Sequence, residues 1–350
     1  MAAKTNSLAA VIFHFNDQIL TSASLEQSRT AFVNKEQNQH QADNERPAAS
    51  IIVPAYNSKR TIRQCLSSLL AQQTAHTYEV ILVDSSKDET PQIVREEFPH
   101  VRLIHLEQQT YPGSARNLGI RHARGRILAF MDSDCVADAD WLDRIIAAHG
   151  KLEAAAIFGA VKNGTPTSII GTVCYLIEFN EFLPRSKPRY TDILLGGNVG
   201  YKQDVFNKHN IFFTDIFPSE DTIFAWTLRQ KREKIYFDPS ILVAHLNRTS
   251  FSGLLRHQHT LGKASAEARR TTNLRGQIFV KYPWLCLGLP LVRWARAALR
   301  LARTDLKYFL VFLALTPLYL IASSAWSFGF ISKGSFTPTR IQIEPSRAGT

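Results

Sequence analysis

The chain has 350 residues, 45% apolar and 20% charged, a composition that allows a large buried core and excludes global disorder. Its formal charge of +11 is concentrated near one end, because residues 281–350 hold nine Lys and Arg residues against two acidic ones. Positive charge beside the most apolar stretch fits an anionic membrane surface, and we expect no nucleic-acid partner. The four cysteines lie far apart without metal-ligand spacing, which argues against a disulfide framework and a structural zinc site.

Residues 1–46 differ from the rest of the chain in composition. They are rich in Gln, Asn and Ser, and the short apolar run Leu8–Phe15 ends at Asn16 and Asp17. Because only Lys4 precedes this run and no convincing cleavage site follows it, the sequence does not favour a signal peptide. We predict a mobile extension over 1–46.

Residues 47–275 alternate between strand and helix patterns. Apolar, β-branched runs predict strands at ASIIVPAYN, YEVILVDSS, VRLIHLE and RILAFMDSD, and helical periodicity follows the first three, as in TIRQCLSSLLAQ. This alternation predicts an α/β fold with a mostly parallel sheet and helices on both faces. The section over 155–245 is less regular.

Residues 281–332 are predicted to associate with a membrane. Over 291–304, arginines recur at spacings of three and four, which gives an amphipathic helix a basic face. The 24 residues of 308–331 then contain no Asp, Glu, Lys or Arg. A helix of that length spans about 36 Å, enough to cross a hydrocarbon core of about 30 Å. We therefore predict a transmembrane helix over 308–331 and a tail over 333–350.

Two features qualify the predicted transmembrane helix. Pro317 is expected to kink it, while Tyr308, Tyr319 and Trp326 are expected to serve as aromatic anchors at the membrane interfaces. The alternative for this segment is a buried core helix, which the basic flanks disfavour.

Acidic residues follow the predicted strands. Asp84 comes after the second strand, and Asp132 and Asp134 come after the fourth. Because ligands of open α/β sheets bind at the carboxyl ends of the strands, these loops are candidate binding loops. No GxGxxG or Walker-type motif is present, so a phosphate would need another partner, such as a divalent cation held by carboxylates. For a D-x-D motif alone, an ordinary solvated loop is the alternative.

The order of these loops resembles the family 2 glycosyltransferases, which have the GT-A nucleotide-sugar fold. Over residues 48–262 the chain contains, in the family's order, SIIVPAYN, VILVDSSKDET, GSARNLGI, ILAFMDSDC, GGNVGYKQDVF and FPSEDTIFAWTLRQ. The resemblance implies transfer of a sugar from a UDP- or GDP-linked nucleotide-diphospho-sugar. The QxxRW form of processive polysaccharide synthases is absent, which argues against a processive synthase.

The resemblance assigns a nucleotide subsite to the strand-end loops. Its residues are Pro54, Tyr56, Asn57, Asp84, Arg116 and Asp132. Arg116 falls where the family often has a basic contact to the diphosphate, and a surface arginine at a helix start is the alternative. The segment Arg256–Lys263 lies where related enzymes have a basic loop near the diphosphate.

The resemblance also implies a Mn²⁺ or Mg²⁺ site. Asp132 and Asp134 match the family's metal-binding motif, with Asp134 favoured as the direct ligand. His245 stands where some members add a histidine ligand, a role that a neutral imidazole accepts readily. A structural histidine is the alternative for His245.

Glu220 and Asp221 correspond to the family's acidic pair. In an inverting transferase one carboxylate takes the proton of the acceptor hydroxyl, and Asp221 resembles that base, with Glu220 in support. Both residues would also suit the positive N-terminus of a helix, so capping is the structural alternative. Gly197 and Asn198 match the segment that borders the donor sugar and the acceptor in the family.

Together these features predict a membrane-anchored, metal-dependent, inverting glycosyltransferase. Its acceptor is expected to be a lipid-linked saccharide or another membrane-associated glycan. A single-pass or peripheral anchor would hold the catalytic domain on the cytoplasmic side of an anionic membrane. Two alternatives remain: a nucleotidyltransferase of similar sheet topology, and a non-catalytic, membrane-tethered protein that binds nucleotide-sugars.

Overall fold

The structure, a computed structural model, describes residues 46–332. The predicted tail over 333–350 and, except for Arg46, the predicted extension over 1–46 lie outside the described residues. A nine-stranded sheet forms the centre of the described part.

The first half of the sheet has the predicted parallel alternation. Its elements are β1 (Ala49–Ala55), α1 (Ile62–Leu70), β2 (Tyr78–Asp84), α2 (Thr90–Glu97), β3 (Arg102–His105), α3 (Pro112–His122) and β4 (Ile127–Met131). Strands β2 and β4 pair in parallel with β1, and β3 pairs in parallel with β2. Every residue of β1 is buried, as expected for a parallel strand covered on both faces. The carboxyl ends of these strands therefore meet at one edge.

The second half of the sheet is mixed, which corrects the prediction of a mostly parallel sheet. Its elements are β5 (Cys135–Ala137), α4 (Trp141–Lys151), β6 (Ala156–Asn163), α5 (Ile169–Phe179), β7 (Arg189–Thr191), β8 (Asn198–Lys202), α6 (Asp204–His209), α7 (Glu220–Gln230) and β9 (Ile235–His245). Strand β8 runs antiparallel to β4 and β6, and β9 runs antiparallel to β5 and β7. The strand order across the whole sheet is β3-β2-β1-β4-β8-β6-β9-β5, with β7 paired to β9.

Antiparallel pairing in this half brings distant residues to the carboxyl end of β4. Asn198, the first residue of β8, pairs with Met131, the last residue of β4. His245, the last residue of β9, pairs with Cys135. The loop that contains Asp132 and Asp134 therefore lies between the start of β8 and the end of β9.

The C-terminal region is a set of helices packed on the sheet domain. It comprises α8 (Phe251–Thr271), α9 (Gln277–Lys281), a 3₁₀ helix (Pro283–Gly288), α10 (Leu289–Thr304), α11 (Leu306–Ala314) and α12 (Thr316–Ile331). Helices α8 and α12 are in backbone contact, since a Cβ on Gly262 would lie 2.0 Å from the carbonyl oxygen of Trp326. Only a glycine allows this approach, which fixes α12 against α8.

The predicted single helix over 308–331 is divided in two. Helices α11 and α12 meet at Leu315 and are bent by 78°, next to Pro317 in the first turn of α12. The kink at Pro317 is confirmed, but a transmembrane helix is not. Within residues 46–332 no single helix has the length and apolar character of a membrane span; only α11 and α12 taken together reach them.

The expected aromatic anchors and the basic face also differ from the prediction. Tyr319 is buried beside Phe312, and Tyr308 packs on Tyr175 of α5, so both rings contact protein. On α10, Arg300 pairs with Glu181 at 2.6 Å, whereas Arg296 is exposed. The arginines of α10 are therefore divided between the protein interior and solvent.

Candidate active site

A cleft of about 720 Å³ lies at the carboxyl ends of β1, β4 and β9. Ten of the residues predicted from the sequence line it: Pro54, Tyr56, Arg116, Asp132, Asp134, Gly197, Asn198, Glu220, Asp221 and His245. Asn57 and Asp84 are not among its lining residues. The strand ends thus collect residues separated by almost 200 positions in the chain, as expected for ligand sites of α/β sheets.

Asp84 and Asn57 brace the loops beside the cleft. The Asp84 carboxylate is fully buried, 2.6 Å from Nδ1 of His105, and accepts a hydrogen bond from the Ser86 hydroxyl. The backbone N–H of Asn57 donates to the same hydroxyl at 2.7 Å. Ser86 therefore connects the loops after β1 and β2, and the structure gives Asp84 a bracing role rather than a position in the cleft wall.

Arg116 links two carboxylates at the floor of the cleft. Its guanidinium is buried and donates to Asp132 and to Glu220, both at 2.8 Å. Burial opposes the charge of Arg116, but the two carboxylates outweigh it and raise the pKa of the guanidinium. The alternative of a surface arginine is therefore wrong. We call Arg116, Asp132, Asp134, Glu220 and Asp221 the acidic end of the cleft.

Glu220 and Asp221 occupy the first turn of α7 and are brought together with the other acidic groups. Burial raises the pKa of Glu220 to about 7, although Arg116 lowers it, and the charge of Asp221 adds to the rise. Burial also raises the pKa of Asp221. Oε2 of Glu220 has no hydrogen-bond partner among the described residues, while Oδ1 of Asp221 accepts from the N–H of Thr222. Two carboxyl groups with raised pKa values, facing a cleft, are suited to proton transfer near neutral pH.

Gly197 and Asn198 differ in what they offer to a ligand. A Cβ on Gly197 would lie 2.2 Å from Oδ2 of Asp132, so a glycine is needed where β8 begins. The amide of Asn198 is buried, accepts from Nε1 of Trp141 at 2.8 Å and donates to the carbonyl of Ala160 at 3.0 Å. Its polar atoms are already used inside the sheet, so Asn198 supports the cleft wall.

Asp134 and His245 form the best-defined candidate metal site. Nε2 of His245 lies 3.5 Å from Oδ1 of Asp134, and Nδ1 of His245 is 2.8 Å from Oδ1 of Asn247. The amide nitrogen of Asn247 donates to Asn163 and Thr165, which leaves its oxygen to accept from Nδ1–H. This tautomer turns the lone pair of Nε2 toward Asp134. Metal-bound histidines are commonly oriented in this way, by a hydrogen bond that the other ring nitrogen donates to a protein oxygen.

The thiol of Cys135 is the third potential ligand at this position. Its sulfur, a carboxylate oxygen of Asp134 and a ring nitrogen of His245 all lie within 4.8 Å of one another. Burial and the charges of Asp134 and Asp132 raise the pKa of the Cys135 thiol well above its usual range. A protonated thiol is a weak metal ligand, so a soft metal ion held by Asp134, Cys135 and His245 together is disfavoured. A hard divalent cation held by Asp134 and His245 fits these side chains better.

The C-terminal helices line the other end of the cleft, which the sequence did not predict. Its residues, which we call the helical end, are Arg248, His257, Gln258, Arg293 and Trp326, together with Glu178 of α5. The segment Arg256–Lys263 lies inside α8 and is not a loop. A lone glutamate in the apolar stretch IIGTVCYLIEF was the available sequence signal for Glu178, and the H-x-N spacing after β9 was the signal for Asn247.

Residues 50–209 match the family described as Glycosyl transferase family 2. The match includes the loops after β1, β2 and β4 and ends before the acidic pair and His245. The mannosyltransferase PcManGT from Pyrobaculum calidifontis, solved in complex with GDP-Man and Mn²⁺, shares the fold with a TM-score of 0.53 and 21% identity. The similarity covers 81% of this chain and 87% of that one.

Three relatives show the range of similar proteins. Glycosyltransferase AglE of Haloferax volcanii is 26% identical over 251 residues, which cover 69% of this chain and 81% of the relative. The succinoglycan biosynthesis protein ExoO of Rhizobium meliloti is 32% identical over 228 residues, covering 61% and 65% respectively. The Escherichia coli UDP-Glc:alpha-D-GlcNAc-diphosphoundecaprenol beta-1,3-glucosyltransferase WfgD is 28% identical over 152 residues, covering 43% and 56%.

Proposed function

We propose that this glycosyltransferase, in which residues 50–209 form a family 2 domain, transfers a sugar with inversion from a nucleotide-diphospho-sugar to a membrane-associated glycan. One observation carries the proposal: the carboxylates of Glu220 and Asp221 open onto the same cleft as Asp134 and His245. An acid–base pair and a candidate cation site therefore line one cleft. The glycosyltransferase relatives disfavour the alternatives of a nucleotidyltransferase and of a non-catalytic binding protein.

The donor is proposed to lie between β1 and the acidic end. Pro54 and Tyr56 line the cleft at the end of β1, where they offer an apolar and aromatic surface to the base. Asp134 and His245 would hold Mn²⁺ or Mg²⁺, and Asn247 orients the imidazole. When bound there, the cation would neutralise negative charge on the leaving diphosphate.

Asp221 is proposed as the general base. The acceptor hydroxyl attacks the anomeric carbon from the face opposite the diphosphate, the bond to the diphosphate oxygen breaks, and the hydroxyl proton passes to Asp221. Arg116 holds Asp132 and Glu220 in place through hydrogen bonds of 2.8 Å. The capping alternative explains part of the pattern, because Asp221 accepts from Thr222, but it does not explain the pairing of Glu220 with Arg116.

Membrane association is proposed to be peripheral. Large apolar side chains are exposed along the C-terminal helices, six of them at least 60% exposed: Trp284, Leu287, Leu291, Leu306, Leu310 and Phe328. Exposed basic residues, among them Arg296, Arg303 and Lys307, accompany these side chains. Apolar side chains next to basic ones are typical of helices that bind the surface of anionic bilayers. In this arrangement the catalytic domain would lie on the cytoplasmic side.

A vesicle flotation experiment tests the membrane proposal. We expect the full chain to float with vesicles that contain anionic lipid, and we expect Leu291→Glu combined with Leu306→Glu to reduce the floated fraction. Tyr190→Glu combined with Phe212→Glu, which adds the same two negative charges at exposed aromatic residues outside the C-terminal helices, is the matched control. Equal flotation of all three proteins would contradict the proposed surface.

Point substitutions are preferable to truncation after residue 275, which would expose the face of α8 that packs on α12.

A donor-hydrolysis screen tests the enzymatic proposal. UDP-, GDP- and dTDP-sugars are each incubated with the full chain and Mn²⁺ or Mg²⁺, and release of the nucleoside diphosphate is measured. We expect metal-dependent release from at least one donor class. No release from any donor, in a protein that is folded by circular dichroism, would contradict the proposed function.

A further inference from the structure

Apart from Glu178 of α5, the helical end of the cleft lies outside the family match, and it has a different chemistry from the acidic end. Its side chains come from α8, α10 and α12 and from the segment after β9. Because α12 is fixed to α8 through Gly262, these side chains are held in place by backbone contact. The helical end is therefore a formed part of the cleft wall.

Arg293 is the central residue of the helical end. Its guanidinium lies 4.9 Å from the centroid of the Trp326 ring, which fixes the plane of the side chain. Nη1 is buried and has no hydrogen-bond partner among residues 46–332. A buried N–H group without an acceptor costs free energy that an acceptor on a ligand would recover.

Glu178 compensates Arg293 only in part, because burial lowers the pKa of the Arg293 guanidinium and the charges of Tyr319 and Glu178 do not fully offset it. Oε1 of Glu178 accepts from Nε2 of Gln258 at 3.1 Å and lies 3.3 Å from Nε2 of His257. Although burial opposes ionisation, the charge of His257 and its hydrogen bond lower the pKa of Glu178 to about 2. Arg293 forms no ion pair within the described part of the chain, and Arg248 also lines this end. The helical end thus has a surplus of positive charge.

We propose that the helical end binds a phosphate group of the acceptor, with Arg293 as its main ligand and Trp326 covering the group attached to it. A guanidinium matches the geometry of phosphate oxygens through paired N–H donors. The proposal rests on the proposed function, since it assumes that the donor fills the cleft near β1 and the acidic end. Gln258, whose buried Oε1 lacks a donor among the described residues, would accept from a hydroxyl of the same ligand.

The position of Arg293 favours the acceptor over the donor as the source of the phosphate. Leu291 and Val292, which precede Arg293 on α10, are both more than half exposed. The same turn therefore presents an apolar surface outside the cleft and a cation inside it. A phosphate joined to an apolar chain matches both features, because its phosphate would pair with Arg293 and its chain would lie on Leu291 and Val292. The diphosphate of a nucleotide-sugar has no apolar chain to place there.

Calorimetric titration with n-octyl phosphate tests this assignment in the full chain, with saturating nucleoside diphosphate and Mn²⁺ present to occupy the donor site. We expect Arg293→Gln to weaken binding by about tenfold or more, the range of a lost charge-assisted hydrogen bond. Arg95→Gln is the control, because Arg95 is an exposed arginine of α2 that lies outside the cleft and outside the C-terminal helices. It should change the affinity less than about twofold. n-Octyl glucoside, which lacks the phosphate, should not distinguish the proteins.

Three results would overturn the assignment. Equal weakening by Arg293→Gln and Arg95→Gln would indicate a general charge effect. A loss of nucleotide affinity in Arg293→Gln equal to its loss of n-octyl phosphate affinity would assign Arg293 to the donor diphosphate. Unchanged binding in Arg293→Lys and Arg293→Gln would exclude Arg293 as a ligand, and Arg293→Lys decides the question if Arg293→Gln does not fold. Failure of the proposed function is separate, because it appears as absent donor hydrolysis in the unsubstituted chain.

Discussion

The two ends of the cleft carry opposite charge. The acidic end holds four carboxylates around one guanidinium. The helical end holds one carboxylate, that of Glu178, among three basic side chains, those of Arg248, His257 and Arg293. Because unbalanced charges are unfavourable where water is partly excluded, the acidic end favours a bound cation and the helical end a bound anion.

One glutamate at each end of the cleft shows how neighbouring groups determine whether a glutamate side chain is ionised. Glu220 is buried beside another carboxylate, and burial raises its pKa to about 7 despite its bond to Arg116. Glu178 is also enclosed, but His257 lowers its pKa to about 2. Only the glutamate at the acidic end can gain and lose a proton near neutral pH, which places proton transfer at that end.

The largest effect is expected from removing the proton acceptor of the acidic end. Asp221→Asn keeps the shape of the side chain but cannot take up a proton, so transfer should fall by about 10²–10⁴-fold. Nucleotide binding should persist, because Pro54 and Tyr56 are unchanged. Rates of transfer and affinities for the nucleotide are measured together, with Asp204→Asn, an exposed acid in the first turn of α6, as control. Normal transfer with weakened nucleotide binding would make Asp221 a helix cap.

Removal of the charge that faces His245 should have the next largest effect. Asp134→Asn is expected to lower metal-supported donor hydrolysis by about 10³-fold, as a Lewis acid contributes several kcal/mol. Calorimetric titration with Mn²⁺ in the presence of nucleoside diphosphate provides a readout independent of turnover. Asp140→Asn removes an exposed carboxylate that pairs with Arg144 and serves as the control. Unchanged Mn²⁺ affinity in Asp134→Asn would contradict the metal site.

The acidic end could be predicted from the sequence because its loops follow apolar strands. Asp132 and Asp134 come directly after β4, and parallel pairing of β1 with β4 makes their position predictable from local pattern. The antiparallel insertion of β8 was not predictable, since its pairing with β4 joins positions about 70 residues apart. The hydrogen-bond partners of Asn198, which are Trp141 on α4 and Ala160 on β6, depend on the position of β8, and this explains why the role of Asn198 was assigned differently.

The helical end could not be predicted for another reason. The sequence of α11 and α12 has the composition of a membrane span, and composition alone does not distinguish lipid from a protein surface as the partner of an apolar face. The close contact of Gly262 with Trp326 decides the packing of α12 in the structure. Arg293, assigned from its spacing to a uniform basic face, is instead turned toward Trp326 and the cleft.

A substitution behind the metal site tests how far the acidic end depends on its supporting residues. Asn247→Leu removes the acceptor for Nδ1 of His245 and frees the imidazole to change tautomer and orientation. Mn²⁺ affinity should fall by about 10–100-fold, the range observed when a residue that hydrogen-bonds to a metal ligand is removed. Asn207→Leu, at an exposed position of α6, is the control in the same calorimetric titration. An unchanged affinity would mean that His245 is a structural residue.

The pH dependence of transfer gives the smallest effect and separates the two ends most directly. A carboxyl group whose pKa is raised to about 7 is protonated below that pH and ionised above it. Proton transfer requires the ionised acidic pair, so the rate should rise with pH through about 7 and fall about tenfold for each pH unit below it. Glu178 remains ionised over this range because its pKa is about 2, so the charge of that glutamate does not change. Glu220→Gln should move the acid limb to lower pH, since the group with the pKa of about 7 is removed and Asp221 titrates without the carboxylate of Glu220 beside it. An acid limb that stays near pH 7 in Glu220→Gln would assign the titration to another group, and circular dichroism across the same pH range excludes unfolding as its cause.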